Sequence, residues 1–186
     1  MSYCLWYHIP DESSSFDIDS FKVVCNFTSK EDVDIIFSYF NNEWFSKGFY
    51  IVTKSGESPI LEDNRNSNSI SFISFLRNRN TNENSAFILW RALMYNLVNH
   101  TLLNSRYTSD NVIAIKSTPK SSKKVTFNIW ISSDIYAFDC REIISCSFHK
   151  FNSKHMVYIK NNSNPYRFSN NNEKINRSKE MKRLYN

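Results

Sequence analysis

Stretches in which apolar and polar residues alternate come in pairs along this chain, and each pair is followed by one stretch of helical spacing. No other feature narrows the fold as much, because period-two segments form half-buried strands and period-3.6 segments form amphipathic helices. Residues 3–8 read as a short aromatic-rich strand, ended by the loop Pro10-Asp11-Glu12-Ser13-Ser14-Ser15. Residues 21–27 read as the second strand. Thr28-Ser29-Lys30-Glu31 has the spacing of a capping box, with the Thr28 hydroxyl and the Glu31 carboxylate each satisfying a backbone N–H. Behind it Val33, Ile36, Phe37 and Phe40 share one helical face. Two strands follow at 49–53 and 70–76, separated by the turn Lys54-Ser55-Gly56-Glu57. In 86–98, Ala86, Trp90, Leu93, Met94 and Leu97 recur at helical spacing. Residues 112–115 and 125–131 look like a hairpin around a lysine-rich loop, 135–151 like a third helix, and 156–160 like a last strand. The packing this order favours is an antiparallel sheet with three helices on one face, an α+β architecture.

The 186 residues fit one domain, expected over 1–168, with a basic, Asn-rich and flexible tail at 169–186. No apolar run is long enough to cross a bilayer, and the N-terminus lacks the pattern of a signal peptide. Cys4, Cys25, Cys140 and Cys146 show no CxxC spacing and read as reduced thiols of a cytoplasmic protein. The four histidines are scattered, so no metal site is expected, and no nucleophile has an oriented base, so no catalysis is expected. No cofactor is expected, and the chain is read as a monomer. With only Gly48 and Gly56, the sequence excludes glycine-rich phosphate loops. Any phosphate must be held mainly by side chains, and the net charge of +5 favours polyanions.

Those side chains can be named. Lys116, Lys120, Lys123 and Lys124 crowd the hairpin, and Trp130 follows them on a strand. Phe16 lies in a polar loop where an aromatic has no amphipathic role. Pro59-Ile60-Leu61-Glu62-Asp63 is a Pro-bounded loop that can hold the Glu62 carboxylate in place. An aromatic face, a carboxylate acceptor and a cationic groove together suit a flat cationic base that carries phosphates, such as a methylated guanine nucleotide.

The chain resembles the eukaryotic translation initiation factor 4E family, the mRNA 5′-cap-binding proteins. Tyr3-Cys4-Leu5-Trp6-Tyr7 is similar to its opening Trp-x-Leu-Trp-Phe strand. Phe27-Thr28-Ser29-Lys30-Glu31-Asp32-Val33 is similar to Phe-x-x-x-Glu-Asp-Phe. Lys54-x-Gly56-x-x-Pro59-x-Leu61-Glu62-Asp63-x-x-Asn66 follows Lys-x-Gly-x-x-Pro-x-Trp-Glu-Asp-x-x-Asn without a gap, Trp90 matches the Trp of the second helix, and Phe127-Asn128-Ile129-Trp130 matches Ile-x-Ile-Trp. The resemblance covers about residues 3–160. It implies a curved antiparallel sheet of about eight strands, three helices on the convex face, and a cap site on the concave side. It also implies a non-catalytic translation initiation factor that binds the 7-methylguanosine 5′ cap of mRNA.

By the resemblance, the two rings that sandwich the methylguanine fall on Phe16 and Leu61. The carboxylate on the base edge falls on Glu62, and the Trp beside the N7-methyl on Trp130. The phosphate-binding cations fall near Lys116 and in the stretch with Lys120, Lys123 and Lys124. Leu61 offers no π-face, and losing one base–aromatic stack costs ~1–3 kcal/mol, so weakened cap stacking is expected. Tyr166 and Phe168 are candidate substitute rings. The family's partner is the scaffold factor 4G or a repressor, which docks a Tyr-x-x-x-x-Leu helix on the helical face. That surface falls on Lys30, Asp34, Trp90 and Arg91. Here its apolar anchors are charged, Asp34 and Arg91 are placed to pair, and Trp90 and Trp6 fit core positions. The alternative reading is a divergent member acting as a translational repressor or interaction protein with little or no cap binding. A generic RNA-binding module would use the same lysines without Glu62, and a cysteine-dependent enzyme is the remaining alternative.

Overall fold

The computed structural model describes residues 1–8, 18–40, 43–60, 67–75, 85–121, 124–132, 134–135, 142–145, 148 and 156–159. Seven strands, β1 (Tyr3–His8), β2 (Lys22–Phe27), β3 (Phe49–Lys54), β4 (Ser67–Phe75), β5 (Val112–Ser121), β6 (Lys124–Ser132) and β7 (Met156–Ile159), form one sheet. Their order is β2-β1-β3-β5-β6-β4-β7, and each neighbouring pair is antiparallel. Helices α1 (Lys30–Tyr39), α2 (Trp44–Lys47) and α3 (Ser85–Val98) complete the α+β architecture.

Alternation decides which side of the sheet the helices cover. Tyr3 and Leu5 of β1, Tyr50 and Val52 of β3, Ile115 of β5, and Val125, Phe127, Ile129 and Ile131 of β6 all face one way. They form one core with Val33 and Phe37 of α1, Phe45 of α2 and Trp90, Leu93, Met94 and Leu97 of α3. Trp90 is fully buried and stacks on Phe127 at 5.5 Å between ring centroids, with Phe45 edge-on to both. α2 was not legible in the sequence. It is one helical turn that carries Phe45 into this aromatic junction.

Three expectations are corrected. The capping box lies one residue later than Thr28/Glu31. Ser29 caps α1, its Oγ accepting from the Asp32 N–H at 3.1 Å while the Asp32 carboxylate accepts from the Ser29 N–H at 3.0 Å. Phe27 is still paired with Tyr3 in the sheet, so Thr28 is needed to leave the strand and the helix starts at Lys30. The Thr28 hydroxyl instead donates to the same carboxylate at 3.1 Å.

The third helix expected over 135–151 is not formed at 143–145; most of the rest of that span lies outside the described residues. Ile144 bridges Leu103, the Asn104 N–H donates to the Ile143 carbonyl at 2.7 Å, and the Ser145 N–H donates to the Leu102 carbonyl at 3.1 Å. These backbone groups are bonded sideways, so they cannot close helical turns, and they seat Ile143 and Ile144 together in the core. The lysine-rich loop is also shorter than expected. β5 and β6 run on as far as Ser121 and Lys124, so Lys116, Lys120 and Lys124 lie on strands.

Candidate functional site

The second face of the sheet carries a smaller apolar cluster of Phe21, Ile51 and Ala114, with Trp6, Ile60, Ile113 and Trp130 packed against it. Strand register sets its geometry. Cys4, Thr53, Ala114, Trp130 and Ser69 lie in one row across β1, β3, β5, β6 and β4. Trp6, Ile51, Lys116 and Asn128 form the adjacent row. Thr118 and Thr126 are paired in the next. Ala114 is the small residue beside Trp130, which leaves room for the half-buried indole on the sheet.

Trp130 and Lys116 are thus diagonal neighbours, with Cβ atoms about 7–8 Å apart at such positions. The Lys116 ammonium lies 5.3 Å from the centroid of the Phe49 ring, a cation–π contact that leans it toward the hairpin end. Lys124 has the parity of Thr126, Asn128 and Trp130 along β6. Lys120 is the extra residue where the register shifts between Pro119 and Ser121, and a bulge there re-aims a side chain. Two polar groups of this face, the Trp130 Nε1–H and the Thr126 hydroxyl, are buried without a hydrogen-bond partner among the described residues. The Trp90 Nε1–H on the core side is in the same condition, so an orphaned group calls for an explanation without by itself marking a site.

The approach to the Pro59–Asp63 loop is fastened to the same face. Trp6 Nε1–H donates to Thr53 Oγ1 at 3.0 Å, and the Thr53 hydroxyl donates to the Glu57 carbonyl at 3.2 Å. The turn from Lys54 closes by the Glu57 N–H to the Lys54 carbonyl at 3.0 Å, with Gly56 at φ +91° where a side chain would be strained. Ser58 Oγ accepts from the Ile60 N–H at 3.1 Å, and Ile60 packs into the cluster that holds Trp130. Phe16, Leu61, Glu62 and Lys123 lie outside the described residues, as do Tyr166 and Phe168. Thr53, Thr126 and Phe49 were not singled out in the sequence. Period-two counting from Trp130 finds Thr126, but the link from Trp6 to Glu57 is non-local and leaves no such signal.

Burial pushes the thiol of Cys4 up, and burial first, with the neighbouring Cys4 and Asp32, does the same for Cys25, which disfavours the nucleophilic thiolate at both. Cys140 and Cys146 lie outside the described residues. No helix among the described residues is long and apolar enough to cross a membrane.

On the helical side, Trp90 drops out of the partner surface that the resemblance implied and takes the core position its spacing favoured: it is fully buried, since the face of α3 that carries it packs on β6. Lys30, Asp34 and Arg91 are exposed. Arg91 reaches Asp34 at 2.5 Å, joining α1 to α3 as the sequence suggested. Tyr95 is a third member that sequence reasoning missed, although its i, i+4 spacing from Arg91 was visible. Its hydroxyl donates to Asp34, and Arg91 lies 5.2 Å from its ring centroid. The Tyr95 hydroxyl and then the Arg91 guanidinium hold the Asp34 carboxyl below the ordinary carboxylate range.

No protein-family model matches this sequence, and no curated protein matches it by sequence. Solved structures do match in shape. Ascaris suum eIF4E-3, solved with the m7G cap, is 17% identical with a TM-score of 0.56, over 70% of this chain and 71% of that one. C. elegans eIF4E-3, solved with the 4E-binding protein Mextli and a cap analog, is 14% identical with a TM-score of 0.54, over 81% of this chain and 76% of that one. A schistosome eIF4E, solved with m7GpppA and 4E-BP, is 15% identical with a TM-score of 0.57, over 72% and 70%. At these identities the likeness is one of chain path. This sheet with its one-sided helices is an eIF4E-like fold.

Proposed function

We propose that this protein binds the 7-methylguanosine 5′ cap of mRNA on the face of its sheet opposite α1, α2 and α3, without catalysis, and acts in translation initiation or its regulation. The observation that carries the reading is the packing of Trp130 and Ile60 into one cluster, with Lys116 in the adjacent row. Glu62, two residues beyond Ile60, is assigned to the base edge, where a carboxylate can accept two N–H bonds from guanine. Trp130 lies beside the methylated side of the base, and Lys116 meets the first phosphates. Phe16 supplies the stacking ring. Leu61 supplies only apolar contact, so affinity falls short of a two-ring sandwich by one stack, ~1–3 kcal/mol. The protein partner is a helical segment of a scaffold or repressor whose contacts suit the polar centre Asp34–Arg91–Tyr95 rather than an apolar anchor.

The test is a titration with m7GTP followed by tryptophan fluorescence, with GTP as control. Tighter binding of m7GTP, reduced by Glu62→Ala, supports the reading. Equal affinity for both nucleotides, or no effect of Glu62→Ala, rejects methyl-cap recognition by this carboxylate.

A further inference from the structure

Lys120 and Lys124 lie six strand positions from the Trp130 row, four further out than Lys116. Six residues separate Trp130 from Lys124 along β6, and six separate Ala114, the neighbour of Trp130, from Lys120 along β5. At a rise of about 3.3 Å per residue this is roughly 20 Å of strand. Lys116 is only two residues from the Trp130 row, about 7 Å by the same rise, and so lies where the phosphates next to the base would be. The three phosphates of a cap bridge are joined by only two P–O–P links and are shorter than the roughly 20 Å that six strand residues span.

We propose that the hairpin end of this face, with Lys120 and Lys124, holds the RNA chain that follows the cap. The proposal rests on the cap-binding reading and extends its footprint. Its occupant is a single RNA strand, because Lys116 and Lys124 lie on one face in line with the Trp130 site, with Lys120 at the bulge beside them, and a backbone of regularly spaced phosphates matches such a track. A second observation points the same way. Thr126 is 7% exposed, it lies on β6 between Lys124 and Asn128, and its hydroxyl has no partner among the described residues. A phosphate oxygen is an acceptor that this hydroxyl lacks. The Pro119–Ser121 bulge breaks the sheet ladder where the track leaves it, as bulges at functional rims do.

The experiment compares m7GTP, a short capped oligoribonucleotide and the same oligoribonucleotide with an uncapped 5′ triphosphate, on the wild-type chain and on Lys120→Ala/Lys124→Ala. The capped oligonucleotide should bind the wild type more tightly than m7GTP does. The double variant should lose roughly tenfold for the capped oligonucleotide at low salt, clearly more than it loses for m7GTP. The slope of log affinity against log salt should fall by about 1.4 for two single-strand phosphate contacts. Equal losses for m7GTP and capped RNA would overturn the proposal and assign these lysines to the cap's own phosphates. So would a capped oligonucleotide that binds no more tightly than m7GTP, or a double variant that loses binding to an acidic peptide but none to RNA. A wild type that binds m7GTP and GTP alike, yet binds both oligonucleotides through Lys120 and Lys124, refutes the cap reading and leaves an RNA track.

Discussion

Replacing Thr53 by Val removes one oxygen and leaves the side-chain shape almost unchanged. Thr53 is buried on the second face, accepts from Trp6 Nε1–H at 3.0 Å and donates to the Glu57 carbonyl at 3.2 Å. Two hydrogen bonds are therefore lost at once. An intramolecular hydrogen bond is worth about 1 kcal/mol net, and more when the abandoned partner is buried. Trp6 is half-buried and keeps little access to water, whereas Glu57 is exposed and regains a water partner. The expected total is about 1–2 kcal/mol, most of it from the stranded indole N–H.

With a urea dependence of about 2 kcal/mol/M, the unfolding midpoint should drop by roughly 0.5–1 M with an unchanged slope. Trp6→Phe removes the donor, and in the double variant the two losses should not add, because they delete the same bond. Additive losses would refute the link. Thr53→Val should also weaken m7GTP binding without touching the nucleotide, since the turn at 54–57 loses its tie to the sheet. An unchanged m7GTP affinity beside a lowered midpoint would show that this tie does not position the loop.

Trp90→Ala should cost about 3–5 kcal/mol in urea unfolding, as truncation of a buried indole does, and a loss under about 1 kcal/mol would move Trp90 out of the core. Asp34→Asn should flatten part of the acid limb of stability. The Asp34 carboxyl is held below its ordinary range, so its contribution is present above the unfolded pKa and is lost as pH falls through the lower folded value. An acid limb identical to wild type would remove Asp34 from that account. Tyr3 is pushed up to about 12 by burial and by Asp110, so its contribution is complete below the ordinary tyrosine range and lost as pH rises toward that value. Tyr3→Phe should move the alkaline unfolding midpoint upward, and no movement would show that another group sets it. A Tyr-x-x-x-x-Leu helix peptide should be captured poorly by the wild type and better by Asp34→Val/Arg91→Leu, as measured by pull-down against the single variants. Strong capture by the wild type would show that the charged centre does not guard the helical face.

Much of the site's frame was legible in the sequence because it depends on parity. Trp130 and Lys124 share a face along β6, and Lys116 shares that face from β5, as period-two counting requires. The aromatic and acidic loops were assigned through motif spacing, and Phe16, Leu61 and Glu62 remain part of the proposal rather than of the described geometry. The Asp34–Arg91 pair was legible because the resemblance placed two opposite charges on one partner surface.

The sequence by itself determined the half-buried strands, the long buried face of α3 and the absence of a glycine-built phosphate loop, since each follows from local spacing or composition. Tertiary structure decided the rest. Strand order, the bulge at Lys120 and the bond chain from Trp6 through Thr53 to Glu57 depend on residues far apart in the chain, whose pairing no local period records. Phe27 pairing with Tyr3 moved the helix cap to Ser29, and sideways bonds to 102–104 kept residues 143–145 out of helix. In both places a non-local backbone partner outweighed a local preference of about 1 kcal/mol or less per residue.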